Sequence, residues 1–446
     1  MQDKGRWLLL ILLVSTLLRA GAALALGDQV EVLPGIHDQL SYHTLAVRLL
    51  EGHGFTFERQ WWPITQAGQP TAHWSYLYTF YLAAIYALFG VHPLAARLLQ
   101  SILAGLLMPW LTYRLARRVF AGQGTSTNTL DKGQVIALIA AGWVACYGYF
   151  IYYSASLMTE SFYMLGLLWV IDCALRLSSR PTSSSYHLAF LELGLAIAFT
   201  VLLRQLSLLF IPFLFLWLWW ALGRRQGTWP ALRRVFLGGL LSAAVLAACI
   251  APFTLLNYRQ FGRFVLLNTN AGYAFFWGNH PVYGDHFVSI LTPEMGSYQE
   301  LIPEELRSLD EAALDQALLQ RGLGFVSTDP GRYLRLSLSR IPAYFWFWPS
   351  PDSSLPSNLT RVFSFGLALP FMLVGIGLWV KDLRRKQVNA APGALLLLFA
   401  GVYSAIHLLS WALVRYRLPV DAVLLIFAAR ALAGPAMKWL PLKRLA

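Results

Sequence analysis

Two carboxylates stand in surroundings suited to proton chemistry. Asp38 lies in GIHDQLSYHTLA and Glu160 in SLMTESFYML, each at the rim of an apolar segment. A carboxylate so placed can act as general base toward a hydroxyl. Asp38 also fits a helix N-cap, and Glu160 a charge favoured by a helix N-terminus; the residues alone leave both readings open. Four arginines offer complementary chemistry. They are Arg204 in FTVLLRQLSLL, Arg259 in LLNYRQFGRF, and Arg415 and Arg417 in LVRYRLPVD. Guanidinium makes bidentate contacts with phosphate, so the set points to a site for a phosphate-bearing lipid. Interfacial snorkelling would also place single arginines there. His37, His73 and His280 could join Asp38 and Glu160 around a divalent cation. Their spacing matches no metal motif, and Asn279-His280-Pro281 reads equally as a turn.

The elements that must position these residues are set by composition. Of 446 residues, 57% are hydrophobic and 13% charged, with a mean hydropathy of +0.53. A soluble domain carries about 25% charged residues, so this chain has too little polar surface to cover a water-soluble fold of its size. It is predicted to be an all-α integral membrane protein. The 17 Trp fit wide interfacial belts. Ionisable residues near membrane depth are costly, which makes those above functional candidates. The net charge of +13 comes mainly from basic residues between apolar runs. That is a topology signature, and no nucleic-acid partner is expected. Cys146, Cys173 and Cys249 sit inside apolar runs and read as small buried hydrophobes.

A spanning helix needs about 20 mostly apolar residues. Ten runs qualify: 7–27, 93–119, 133–152, 157–177, 186–203, 206–222, 235–256, 361–380, 392–413 and 416–434. The first reads as a span rather than a cleaved leader, although Lys4, Arg6 and the small residues of AGAALALG resemble one. With the N-terminus inside, the inner connections hold 19 of the 35 basic residues, against Asp3, Asp131 and Asp382 as acids. A full crossing by the short run 76–90 would reverse every later loop, so this run is expected to lie at the outer interface. The whole chain, 1–446, reads as one membrane domain with two outer segments, 28–92 and 257–343. In the first, a helix over 38–52 places Leu40, Thr44, Val47 and Leu50 on one side and ends at Gly52. In the second, Ser308 and Glu311 form a capping box, and Asp329-Pro330 opens a further helix. Ser183-Ser184-Ser185 reads as a linker.

These motifs, in this order, resemble the multispanning GT-C glycosyltransferases, especially the bacterial branch related to protein O-mannosyltransferases and the lipid A aminoarabinose transferase (family 39/83-like). The resemblance rests on Asp38, Tyr42 and Ala46 in DQLSYHTLAVRLLEGHGF, then LFGVHPLAARLLQ, LTYRLARRVF, MTESF and LGLAIAFTVLLRQ. APFTLLNYRQFGRFVLLNTNAGYAFFWGNHPVYG, LGFVSTDPGRYLRL and VRYRLP complete it, bringing Asn279, His280 and Tyr416. Gln205 stands where a Pro often follows the span-five arginine, and Gln260 where an Asn often follows the span-seven arginine. Little chain follows span ten, so the large outer C-terminal domain of some relatives is not expected.

The resemblance implies a sugar donor carried on polyprenyl phosphate and a hydroxyl acceptor on a lipid, glycan or protein. It implies Asp38 as the base, attack with inversion, and arginines that stabilise the departing phosphate. Glu160 would support the same site, with His73, His37 and Tyr42 nearby. No cofactor is certain from it, and a divalent cation stays open. The expected location is the cell membrane, multi-pass, with the site on the outer face. A lipid or solute transporter is the competing class, but related halves are absent from the sequence. A degenerate, noncatalytic relative is a third reading, against which both carboxylates stand.

Overall fold

The computed structural model describes residues 2–121, 131–180, 186–351 and 353–439. The linker Ser183-Ser184-Ser185 and the basic residues Lys443 and Arg444 lie outside them. In chain order the helices are α1 (Gln2–Leu26), α2 (Asp38–Leu50), α3 (Tyr76–Phe89), α4 (Pro93–Val119), α5 (Lys132–Cys146) and α6 (Gly148–Ala155). Then come α7 (Glu160–Ser179), α8 (Tyr186–Leu203), α9 (Ile211–Gln226), α10 (Thr228–Phe261), α11 (Ala271–Asn279) and α12 (Glu311–Thr328). The last are α13 (Pro330–Tyr344), α14 (Leu355–Arg361), α15 (Leu367–Arg384), α16 (Ala390–Leu409) and α17 (Leu418–Trp439). Among the described residues no strand forms, only isolated bridges.

Among the described residues, nine helices are long and apolar enough to cross a membrane, and the number is ten if the bent pair α5 with α6 is one span. The 51° bend falls at Tyr147, whose extended backbone interrupts the helix. Tyr147 is fixed there by donating to Asp421 at 2.8 Å. By contrast, α3 has 14 residues. At 1.5 Å per residue it is about 21 Å long, short of the roughly 30 Å hydrocarbon layer. Ser75 caps it, and it packs on α2, α4 and α8.

Helix α7 is the centre of the bundle, with nearly every residue buried. Its Gly166 lies so close to α8 that an added Cβ would sit 2.5 Å from Thr200 Oγ1. Helices α1 and α10 are mostly unburied by the chain itself, as helices facing lipid must be.

Segments 28–92 and 257–343 depart from the sequence reading in three details. Helix α2 starts at Asp38 itself, its N-cap position is His37, and no side chain caps it. Asp38 is therefore not a cap. The buried face of α2 is Gln39, Ser41, Tyr42, Leu45 and Ala46, not Leu40, Thr44, Val47 and Leu50. The polar members of that face are satisfied. Gln39 accepts from Arg97 at 3.3 Å and donates to the Glu31 carbonyl, while Ser41 accepts from Trp61 Nε1 at 2.8 Å. Apolar periodicity cannot find a face made this way. Helix α12 is capped by Asp310, which accepts from the Ala313 amide at 2.9 Å, and not by Ser308. The expected start of α13 at Asp329-Pro330 holds, with Asp329 accepting from the Arg332 amide at 2.8 Å.

Glu311 ties segments 28–92 and 257–343 together. One carboxylate oxygen accepts from the Ala72 amide at 2.8 Å and Thr269 Oγ1 at 2.5 Å, the other from Thr65 Oγ1 at 2.8 Å.

Candidate active site

Four helix ends converge on the candidate residues. Asp38 is the first residue of α2, soon after the C-terminus of α1, and Glu160 is the first residue of α7. Arg204 follows α8 in extended backbone, where the chain leaves the helix and enters a short 3-10 turn at Gln205. Arg415 lies in the 3-10 turn Val414–Arg417 before α17. Pro419 favours a helix start there, because its missing amide is tolerated only in a first turn.

The charges alternate. Arg415 donates to Asp38 Oδ2 at 2.9 Å, and its Nε is 3.9 Å from Glu160 Oε1. Arg204 Nη2 is 2.6 Å from the same Glu160 oxygen, and its Nε donates to Thr159 Oγ1 at 2.9 Å. Glu160 is 3% exposed, whereas the Asp38 side chain is 25% exposed. Asp38 is thus the carboxylate that an incoming group can reach. Glu160 is a buried counter-charge at a helix N-terminus, where the macrodipole favours it, and it anchors both guanidiniums.

Aromatic rings line the row. Tyr416 lies under Arg415 at 5.3 Å and Arg204 at 5.8 Å, and stacks on His407 at 4.7 Å. Arg204 also lies over Tyr163 at 5.4 Å. Tyr42 is packed edge-on against Trp74 and Tyr78. Burial raises its hydroxyl pKa, and Asp38 and Glu160 add to the rise while Arg204 opposes it, which locates Tyr42 at the same cluster. His73 lies edge-on to Trp74 and Tyr273, and burial holds its pKa below the ordinary value despite Glu311 and Asp38. It is a neutral ring at the border of the site.

Other expected residues are placed elsewhere. Arg259 is exposed near the end of α10, and among the described residues no ion pair or hydrogen bond holds it. Arg417 is fully buried and engaged by Asp421 at 3.0 Å, one helical turn on, and by the Tyr344 carbonyl at 2.7 Å. With 0% of its side chain exposed, it is not open to a phosphate, unlike Arg204 and Arg415. His37 is exposed, with no side-chain cap bond. Asn279 is buried and accepts from Arg340 at 2.8 Å. His280 Nδ1 accepts from the Val282 amide at 3.1 Å, which makes it the turn residue of the simpler reading. Burial and Arg332 lower its pKa to about 4.

The donor set does not fit a divalent cation. Among the described residues no group of three or more His, Cys, Asp or Glu could hold one. Between Asp38 and Glu160 stands the Arg415 guanidinium, a positive charge where a metal would have to lie. His407, Tyr163 and Thr159 are site neighbours that sequence reading missed. The four-residue spacing of Arg417 and Asp421 was the legible sign that these two pair.

The spans and the charged row define a multispanning α-helical membrane protein with its polar chemistry gathered where helix ends meet. No protein-family profile matches the chain, and no curated protein matches it in sequence. Solved structures match its fold. The oligosaccharyltransferase AglB of Archaeoglobus fulgidus, solved with an inhibitory peptide and a dolichol-phosphate, matches with a TM-score of 0.61 and 17% identity. The match covers 98% of this chain and 51% of that one. The apo form of the enzyme from that organism gives 0.61 and 16%, with the same coverage. ArnT from Cupriavidus metallidurans, bound to undecaprenyl phosphate, gives 0.44 and 16%, over 96% of this chain and 78% of that one. The likeness is one of fold: this chain shares the fold of the matching part of the AglB structures. It spans about half the length of the AglB structures it matches.

Proposed function

We propose that this protein is a membrane glycosyltransferase that moves a sugar from a polyprenyl-phosphate donor to an acceptor hydroxyl at the outer membrane face. The observation that carries the reading is the alternating row Asp38–Arg415–Glu160–Arg204, with one reachable carboxylate and two buried-anchored guanidiniums. The AglB structure of the same fold contains a dolichol-phosphate, a ligand of the donor class named here.

In the proposed reaction Asp38 accepts the proton of the acceptor hydroxyl. The oxygen attacks the anomeric carbon from the face opposite the phosphate, the carbon–oxygen bond to phosphate breaks, and polyprenyl phosphate leaves with the bonding pair. Configuration inverts, and the proton on Asp38 passes to water. Arg415 and Arg204 stabilise the charge that grows on the leaving phosphate, preorganised by Glu160 so that little reorganisation accompanies the step. The partly exposed Asp38 lets the acceptor approach from water, while the donor lipid arrives from the bilayer. No step needs a metal.

The experiment is to incubate the purified protein with a panel of polyprenyl-phosphate sugars and a membrane extract that supplies lipid, glycan and protein hydroxyls, and to measure released polyprenyl phosphate. Release with at least one donor, lost on Arg415→Ala, is expected. Intact donors throughout the panel, under conditions where the protein is folded and binds polyprenyl phosphate, overturn the reading.

A further inference from the structure

A second charged cluster lies in the bundle away from Asp38. On α7, Asp172 is 12 residues past Glu160, about 18 Å along the axis. It is 1% exposed and receives three arginines: Arg114 Nη2 at 2.8 Å, Arg118 Nε at 3.2 Å and Arg176 Nε at 2.9 Å. The three are not equivalent. Arg176 is saturated, because both its terminal nitrogens also reach Glu192, at 2.8 and 2.5 Å. Among the described residues, Asp172 is the one carboxylate that Arg114 and Arg118 meet. Three guanidiniums against two carboxylates leave one positive charge unmatched, and it belongs to the Arg114–Arg118 pair.

These two arginines are one turn apart on α4, with side chains 29% and 30% exposed. None of their remaining nitrogens is a buried group lacking a partner, so the free N–H groups reach the surface. Arg114 is 21 residues from Pro93, about 32 Å along the helix, which is one hydrocarbon thickness. The Pro93 end belongs to the Asp38 side, since Arg97, four residues into the helix, donates to Gln39 at 3.3 Å. The pair therefore sits at headgroup depth in the opposite leaflet. Toward mid-membrane the same helix exposes Leu106, Leu107 and Trp110, and the Arg114 guanidinium lies over the Trp110 ring at 4.5 Å.

We propose that Arg114 and Arg118 bind the phosphate of an anionic phospholipid in the leaflet opposite the Asp38 site, with Asp172 as the buried group that holds both guanidiniums in place. Two forks one turn apart suit a phosphate. The exposed apolar strip leading away from them suits the acyl chains, which is why a lipid and not a soluble anion is assigned. The proposal rests on the membrane fold and not on the glycosyltransferase reading.

The test is native mass spectrometry of the full-length protein in detergent with phosphatidylglycerol or phosphatidylcholine, which counts lipids on the folded ion population. Retention of phosphatidylglycerol should exceed that of phosphatidylcholine about tenfold, the scale of one charge-assisted contact. Arg118→Gln leaves Asp172 paired with Arg114 and Arg176, so it should fold, and it should lose most of that preference; Arg114→Gln/Arg118→Gln should abolish it. Arg384→Gln/Arg385→Gln removes two exposed charges elsewhere and should keep it. An unchanged preference in Arg118→Gln, or an equal loss in the control, overturns the site. Competition by millimolar glycerol phosphate equal to that by the lipid overturns its assignment to lipid.

Discussion

Replacing Asp38 by Asn separates its two possible duties. Asp38 is not a helix cap, so no capping energy is at stake. Its one strong contact is with Arg415 at 2.9 Å, between side chains 25% and 15% exposed. Arg415 keeps a second carboxylate, Glu160 at 3.9 Å from its Nε, so its charge is not left alone and the cost is about 1–2 kcal/mol. The Asn side-chain oxygen still accepts from Arg415, so part of the contact is retained and the guanidinium stays oriented. What Asn cannot do is take a proton. General-base catalysis is worth roughly 10²–10⁴ in rate, or about 3–5 kcal/mol of activation free energy. The expected result is a variant with a melting temperature lowered by a few degrees at most, unchanged affinity for polyprenyl phosphate, and turnover lower by at least about a hundredfold. The assay is release of polyprenyl phosphate under saturating donor, beside a thermal unfolding scan. A folded Asp38→Asn protein within about threefold of the wild-type rate would show that Asp38 only positions Arg415.

Glu160→Gln should be costly twice over, because it strips the counter-charge from two arginines in a buried site; about 3 kcal/mol of stability and most donor binding should go, and a variant with normal donor affinity refutes Glu160 as anchor. Arg204→Lys and Arg415→Lys keep charge but lose the fork, so each should lower turnover about 10- to 100-fold, read in the same release assay. Arg259→Ala should leave activity within about twofold, since that side chain is exposed and, among the described residues, makes no ion pair or hydrogen bond with the row. Arg417→Ala strands buried Asp421 and should cost about 3–5 kcal/mol of stability before any catalytic effect. Dialysis against EDTA should leave turnover unchanged; a loss restored by added Mg²⁺ or Mn²⁺ would contradict the guanidinium between the carboxylates. Burial raises the Asp315 carboxyl to about 7 from 3.8 although it accepts from the Gly272 and Tyr273 amides. The folded state then holds a proton that the unfolded chain releases near pH 4, so stability falls as pH rises from about 4 to about 7. Asp315→Asn should raise the melting temperature at pH 8 and have little effect at pH 4, and equal effects at both refute the shift.

The membrane class, the span positions and the identities of the chemical groups were fixed by the sequence alone. Twenty apolar residues in a row have one stable answer in lipid, because each backbone amide must be satisfied within its own segment. That logic is local, and so is the Asp329-Pro330 helix start. The functional row was only half legible. Asp38, Glu160, Arg204 and Arg415 are named by their chemistry, but their pairing joins residues up to 377 apart in sequence, and no local rule states it. Arg415 and Arg417 are two residues apart in one turn, yet one joins Asp38 and the other turns to Asp421. Adjacent positions in a turn face different sides, and only the packed bundle decides which side holds a partner. For the same reason Arg259 matched a motif and stands exposed, while Glu311, read in sequence only as part of a capping box, ties together three distant stretches of chain. A charge in a membrane protein takes its role from the counter-charge and burial it meets. Those are properties of helices brought together, since the desolvation that makes a pairing decisive does not exist until they pack.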